Sequence, residues 1–356
     1  MSAPDEQAEL ELRVAEYIRV ASEGDFEESR FDQLATAIHR FQFRANEPYA
    51  RYCRALEVSE SIETWRQVPA VPQQAFKHAD LRSFPAAETV ATFHTSGTTG
   101  EGPGRHHFRT IALYELVLRS GWRLAGLPVG RAQIILIPPP AENPHSSLSQ
   151  MMGALGEFAT EQSWFAHVDQ AGMRIDLDAL RSRIAQARTP LVMLGTALAY
   201  LHLFERLGET RLELPVASVA FETGGYKGSG RELSKSELYT QFHVRLGLPA
   251  DMIWNEYGMT ELSSQCYARG LGTPHRTPPW MRALVIDPES GHEAAPGAIG
   301  ALRLIDLANV GSVLGVQTQD LARQIDGEQF ELLGRDPAAL PRGCSRAADE
   351  ILSIRS

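Results

Sequence analysis

The sequence predicts an α/β fold: a mainly parallel sheet covered by helices, followed by a small β-rich lobe. Two observations predict it. Short apolar runs at Gln133–Ile137, Leu191–Leu194, Val216–Phe221 and Met252–Trp254 alternate with helix-length stretches such as Thr110–Arg119 and Leu177–Ala187, and buried parallel strands read as such unbroken runs. After Pro274 the texture changes. Alternating patterns at Arg282–Ile286 and Gly300–Ile305, with Gly and Pro between them, read as short antiparallel strands.

Taken in order, residues 1–85 read as mostly helical. Leu10, Leu12, Val14, Ala15 and Ile18 recur at helical spacing, as do Phe31, Leu34, Ala37, Ile38 and Phe41. Pro69, Pro72 and Pro85 end that pattern. Residues 86–273 form the expected α/β core, 274–335 the β-rich lobe and 336–356 a short tail.

Composition narrows the classes. Apolar content of 43% and charged content of 22% are those of an ordinary globular chain. The net charge of -10, with no basic stretch to offset it, argues against nucleic-acid binding. No apolar run is long enough to span a bilayer and no amino-terminal signal is visible, so the cytoplasm is the expected compartment. Cys53, Cys266 and Cys344 lie far apart without a C-x-x-C, so neither a disulfide framework nor a zinc site is indicated.

In parallel sheets ligands sit at the carboxyl ends of the strands. The stretches expected there are Pro138–His145, Gly195-Thr196, Glu222–Gly225 and Asn255–Glu261. A further loop follows the β-prone run Thr89–Phe93: Thr95, Ser96, Gly97, Thr98, Thr99 and Gly100. Glycines let backbone N–H groups turn inward and hydroxyls add donors, so this loop can cradle a polyphosphate. It has neither the spacing of a Walker A loop nor that of the dinucleotide fingerprint. In the last stretch, Tyr257 can stack on a base, Thr260 can bond a phosphate oxygen and Glu261 can hold a divalent cation.

Ser96-Gly97-Thr98-Thr99-Gly100 resembles the phosphate loop of the adenylate-forming enzymes, and Tyr257-Gly258-Met259-Thr260-Glu261 is similar to their Y-G-x-T-E pattern. The resemblance implies that family's large-domain fold, with ATP and Mg²⁺ as cofactors and a carboxylic acid as substrate. It places Tyr257 along the adenine, Thr260 at the α-phosphate and Glu261 on magnesium. Gly224 and Gly225 match the segment against the adenine, Asp320 the aspartate that bonds the ribose, and Arg335 the arginine that faces ribose or phosphates. Two departures stand out. The usual Pro-Lys after the phosphate loop is absent, with Arg105 the nearest cation. Only 21 residues follow Arg335, too few for the mobile carboxy-terminal domain and its catalytic lysine, so that domain is not expected here.

Val71–Lys77, Glu142–Leu148 and Arg342-Gly343-Cys344-Ser345 narrow the likeness to the acyl-protein synthetases of bacterial luminescence operons. That resemblance implies activation of a fatty acid as acyl-AMP, transfer to Cys344, and delivery to a partner acyl reductase. Arg342 and Arg346 flank Cys344, the setting in which a thiol ionises more readily. His145 is a candidate contact for the acid. Two other readings stay open: a ligase using coenzyme A or a carrier-protein thiol, and a non-catalytic nucleotide-binding subunit of a reductase complex.

Overall fold

The computed structural model describes residues 3–95, 102–169, 172–226 and 233–336. The chain forms two units. One comprises the described residues of Met1–Gly121, Met259–Gln265 and Pro274–Ser356, the other those of Trp122–Gly258 and Cys266–Thr273.

The first unit opens with helices α1 (Ala3–Ser22), α2 (Glu28–Ala45) and α3 (Glu47–Ala55). The apolar positions at helical spacing do face inward. Leu10, Val14, Ile18, Phe31, Leu34, Ile38 and Phe41 share one core with Trp65, Trp280, Leu307 and Leu314. Leu12, placed in the same stripe by the sequence, is instead exposed. Strand β1 (Ala70–Pro72), helix α4 (Ala75–His78), strands β2 (Ala91–His94) and β3 (Arg105–Phe108), and helix α5 (Ala112–Leu124) follow. β2 and β3 pair antiparallel, Phe93 opposite His106.

The second unit is the α/β part. Its elements are β4 (Arg131–Ile135), α6 (Ser147–Ala154), β5 (Ala159–Trp164), β6 (Ala166–Asp169), β7 (Gly172–Ile175), α7 (Leu177–Gln186), β8 (Leu191–Thr196), α8 (Ala197–Leu207), β9 (Val219–Thr223), α9 (Lys235–Gln241), β10 (Ile253–Tyr257) and β11 (Cys266–Arg269). Strands β10, β9, β8, β4 and β5 pair parallel in that order, and β11 adds antiparallel to the outer edge of β10. Crossover helices between parallel strands are what the sequence pattern required. Tyr200 closes the core by donating to the carbonyls of Met193 (2.8 Å) and Phe221 (3.1 Å).

Several strand boundaries differ from the sequence reading. The run from Val216 does not begin a strand: Val216 is 93% exposed, Ala217 has φ 65° and β9 starts at Val219. Conversely, Gly195-Thr196, Glu222-Thr223 and Asn255–Tyr257 belong to strands rather than to the loops after them. Their polar side chains are tolerated there because ladder pairing satisfies the backbone and neighbouring side chains satisfy the rest.

The chain then returns to the first unit through β12 (His275-Arg276), β13 (Met281–Ile286), β14 (Ile299–Asp306), β15 (Gly315–Gln324) and β16 (Gln329–Arg335). The pairs β13–β14, β14–β15, β15–β16 and β16–β12 are antiparallel, as the alternating patterns predicted. β1 runs parallel to β15 with Ala70 opposite Gly315. A Cβ on Gly315 would lie 3.0 Å from Ala70 Cα and from Pro69 O, so this close approach needs glycine. Gln42 of α2 ties the helices to the β14–β15 connection. It donates to the carbonyls of Asn309 (2.8 Å) and Val310 (3.1 Å) and accepts from the Leu314 N–H (2.9 Å).

Candidate active site

Because β4, β8, β9 and β10 are parallel, their carboxyl ends open on one edge of the second unit. There β9 and β10 carry a buried polar cluster. Asn255 lies opposite Glu222 across the ladder, and Glu256 opposite Thr223. Asn255 Nδ2 donates to Glu222 Oε1 at 2.7 Å, and Tyr239 O–H donates to the same oxygen at 3.3 Å. Lys235 Nζ donates to Asn255 Oδ1 at 2.8 Å. On the other strand face, Thr223 O–H donates to Glu256 Oε2. Burial pushes the Glu222 carboxyl up to about 7, against the pull of Lys235, Tyr239 and Asn255. Burial likewise raises Glu256 to about 7; the Thr223 hydroxyl opposes this and Glu222 reinforces it. Burial lowers Lys235, which the Glu222 charge partly restores.

Past this cluster the chain turns at Gly224, whose φ of 69° suits glycine, and Gly224 and Gly225 are exposed. Tyr257 ends β10, only 9% exposed and paired with Cys266 of β11. His145 is exposed in the loop that leads into α6, next to Ser146, which caps the helix by accepting from the Ser149 N–H at 3.1 Å.

The first unit holds the remaining candidates. Thr95 and Gly104 close the base of the β2–β3 hairpin: Thr95 N–H donates to Gly104 O (2.9 Å) and Gly104 N–H to Thr95 Oγ1 (2.8 Å). Ser96, Gly97, Thr98, Thr99 and Gly100 lie outside the described residues, as does Cys344.

The Thr260–Ser264 segment is gripped from several sides. The fully buried His106 donates through Nδ1 to the Thr260 carbonyl at 2.7 Å, which puts its proton on Nδ1, and burial lowers its pKa to about 4. Thr260 O–H donates to His94 O at 3.4 Å. Asn309 Nδ2 donates to the carbonyls of Glu261 (2.9 Å) and Val313 (3.1 Å), while its Oδ1 accepts from Ser263 O–H at 2.8 Å. Asp306 accepts the N–H groups of Ser263 (3.0 Å) and Ser264 (2.8 Å), the Ser264 hydroxyl (2.7 Å) and the Ala308 N–H (3.0 Å). Thus the backbone around Glu261, itself 8% exposed, is fixed by buried side chains. Asp320 of β15 and Arg335 of β16 are direct cross-strand partners with Nε to Oδ1 at 3.8 Å, a partly exposed pair worth little to stability.

Sequence reasoning placed Glu222 and Glu256 in stretches expected at the strand ends but gave them no role of their own, and it did not single out Lys235, Asp306 or Asn309. Only composition hinted at one of them. The chain has three lysines, Lys77, Lys227 and Lys235, so a lysine placed in a buried cluster stands out against a chain that otherwise uses arginine. Among the described residues no group of three or more His, Cys, Asp or Glu side chains could by itself hold a metal.

The chain has the fold of the adenylate-forming enzymes' large domain. A 2-hydroxyisobutyryl-CoA ligase crystallised in an open conformation with 2-HIB-AMP and CoA matches this chain with TM-score 0.64 at 14% identity, over 86% of this chain and 70% of that one. MatB from Rhodopseudomonas palustris, solved with ATP bound, matches at TM-score 0.50 and 19% identity over 79% of this chain; the chain spans about half, 51%, of MatB. The family is narrower than the fold. The chain belongs to the acyl-protein synthetase family, LuxE, whose model matches residues 20–353, and it is an enzyme of the ligase class. It is 22% identical over 348 residues to the long-chain-fatty-acid–luciferin-component ligase of Aliivibrio fischeri, covering 93% of this chain and 91% of that protein. No helix among the described residues is long and apolar enough to cross a membrane.

Proposed function

We propose that this chain adenylates a long-chain fatty acid with ATP and then moves the acyl group to the thiol of Cys344, for delivery to a partner acyl reductase. The observation that carries the reading is the motif Tyr257–Glu261, which begins at the end of a buried parallel strand and whose Thr260 and Glu261 carbonyls accept from His106 and Asn309, in a member of the acyl-protein synthetase family. The A. fischeri relative's name supports a long-chain fatty acid as substrate.

In this reading a carboxylate oxygen of the acid attacks the α-phosphorus of ATP, a P–O bond forms and pyrophosphate leaves. Tyr257, Gly224 and Gly225 receive the adenine, Thr260 bonds an α-phosphate oxygen and the Ser96–Gly100 loop surrounds the outer phosphates. Asp320 takes the ribose hydroxyls, with Arg335 beside it, and His145 approaches the acid. Glu261 fits Mg²⁺ as a lone carboxylate ligand whose main chain is already fixed, which suits a cation that takes its other oxygens from phosphates and water. Magnesium supplies charge neutralisation; the chain supplies positioning and pre-aimed N–H and O–H donors. The Cys344 thiolate then attacks the acyl carbon of the mixed anhydride, forming a thioester as AMP leaves. In this reading the reaction runs in the cytoplasm, where ATP is supplied.

The test is incubation of the purified chain with ATP, Mg²⁺ and a radiolabelled long-chain acid. Label that stays with the protein, is released by hydroxylamine, and is lost in C344S supports acyl transfer to Cys344. Label retained in C344S overturns that step. Label that appears only on added coenzyme A makes the chain a coenzyme A ligase instead.

A further inference from the structure

We propose that Glu222 and Lys235 are positioning residues: through the side-chain amide of Asn255 they lock the chain leaving β9 to the chain entering α9, and so hold Gly224, Gly225 and Tyr257 ready for a nucleotide base. The inference deepens the adenylation reading and rests on it.

Three facts of geometry support it. Both ends of the Asn255 amide are committed, its nitrogen to Glu222 and its oxygen to Lys235, so the amide has one orientation. Asn255 and Tyr257 are two residues apart on one strand and therefore share a face, and Glu222 immediately precedes Thr223 and the turn at Gly224. Lys235 is the first residue of α9, whose start is set by the reciprocal Ser234–Glu237 capping box. One amide thus ties together a strand end, a helix start and the strand that presents the tyrosine.

The choice of charges bears on function rather than on stability. Apolar side chains would fill this space at no desolvation cost, and buried ion pairs are poor stabilisers against such replacements. Lysine rather than arginine gives a compact charge that reaches one carbonyl oxygen without demanding a planar fork of partners. The groups facing Glu222 are Lys235 and Tyr239 from α9, Asn255 and Glu256 from β10, and Tyr200 from α8. With burial opposing and Lys235 favouring its charge, Glu222 titrates near neutrality.

The experiment uses E222Q, K235M and K235R in the full chain, with amide hydrogen exchange of residues 223–226 read beside pyrophosphate exchange. In E222Q and K235M, protection of 223–226 should fall about tenfold or more and KM for ATP rise by a similar factor, the loss of one charge-assisted hydrogen bond, with kcat within about twofold by the same accounting of uniform binding. K235R should recover part of this. The acid limb of kcat/KM for ATP should vanish in E222Q and move to higher pH in K235M, where the carboxylate has lost its cation. Unchanged protection and unchanged KM in both E222Q and K235M would overturn the proposal and leave adenylation standing. If the wild type shows no pyrophosphate exchange with any acid, the adenylation reading fails, and the lock is still judged by protection alone. Should K235M not fold, the milder E222Q decides the proposal by the same two readouts.

Discussion

The grip of Asn309 on Glu261 makes a prediction whose size follows from the structure. Asn309 is 1% exposed and makes three bonds: Nδ2 to Glu261 O at 2.9 Å and Val313 O at 3.1 Å, and Oδ1 from the Ser263 hydroxyl at 2.8 Å. N309D keeps the shape but turns the donor into an oxygen that faces two carbonyl oxygens. N309A removes all three bonds, and at roughly 1 kcal/mol for each neutral bond should cost about 3 kcal/mol. N309D keeps the Ser263 bond but adds repulsion or forced protonation, which should bring its cost to about 4 kcal/mol. Both variants should also lose kcat in pyrophosphate exchange, since the main chain of Glu261, the proposed magnesium ligand, is no longer held by this amide. Urea unfolding at pH 7 gives the first quantity and exchange kinetics the second. An N309D protein within about 0.5 kcal/mol of wild type, with full exchange, would refute the claim that this amide holds the segment.

Three further outcomes follow from the buried groups. Glu256 is raised from 4.5 to about 7, so its contribution to stability is present at low pH and lost as pH climbs through that window, about 3 kcal/mol in all; E256Q should therefore gain on wild type between pH 5 and pH 8 in urea unfolding, and parallel curves would contradict this. His106 has the opposite sign: lowered from 6.5 to about 4, it contributes stability above pH 6.5 that is lost on acidification, again about 3 kcal/mol, so the cost of H106Q measured at pH 7 should shrink by pH 4.5. G300A would push a methyl group into the main-chain oxygen of Ile286 in the β13–β14 ladder, which backbone cannot easily yield; thermal unfolding should show a loss of about 2 kcal/mol.

Local features were readable in the sequence and distant ones were not. The runs at Leu191–Leu194 and Met252–Trp254 announce strands because parallel strands are buried on both faces. The same logic stops short at Asn255, since a count of apolar residues cannot see polar side chains that bond one another inside the sheet. It misreads Val216, an apolar residue left exposed just before the turn at Ala217. Strand β3, Arg-His-His-Phe, carries no strand-like run and forms because β2 pairs with it. The Tyr257–Glu261 motif is contiguous and so legible. Asn309, which bonds Glu261, and Asp306, which bonds the Ser263 and Ser264 that follow the motif, lie more than 40 residues away and are brought there only by the chain's return after Pro274.

The central claim is adenylation, and carboxylate-dependent exchange of labelled pyrophosphate into ATP tests it most directly. With wild-type protein, Mg²⁺ and a panel from short to long-chain fatty acids plus aromatic acids, the account predicts exchange that is strongest with a long-chain acid, unaffected by C344S and abolished by E261A. No exchange with any acid, from a folded protein that binds ATP, would contradict it.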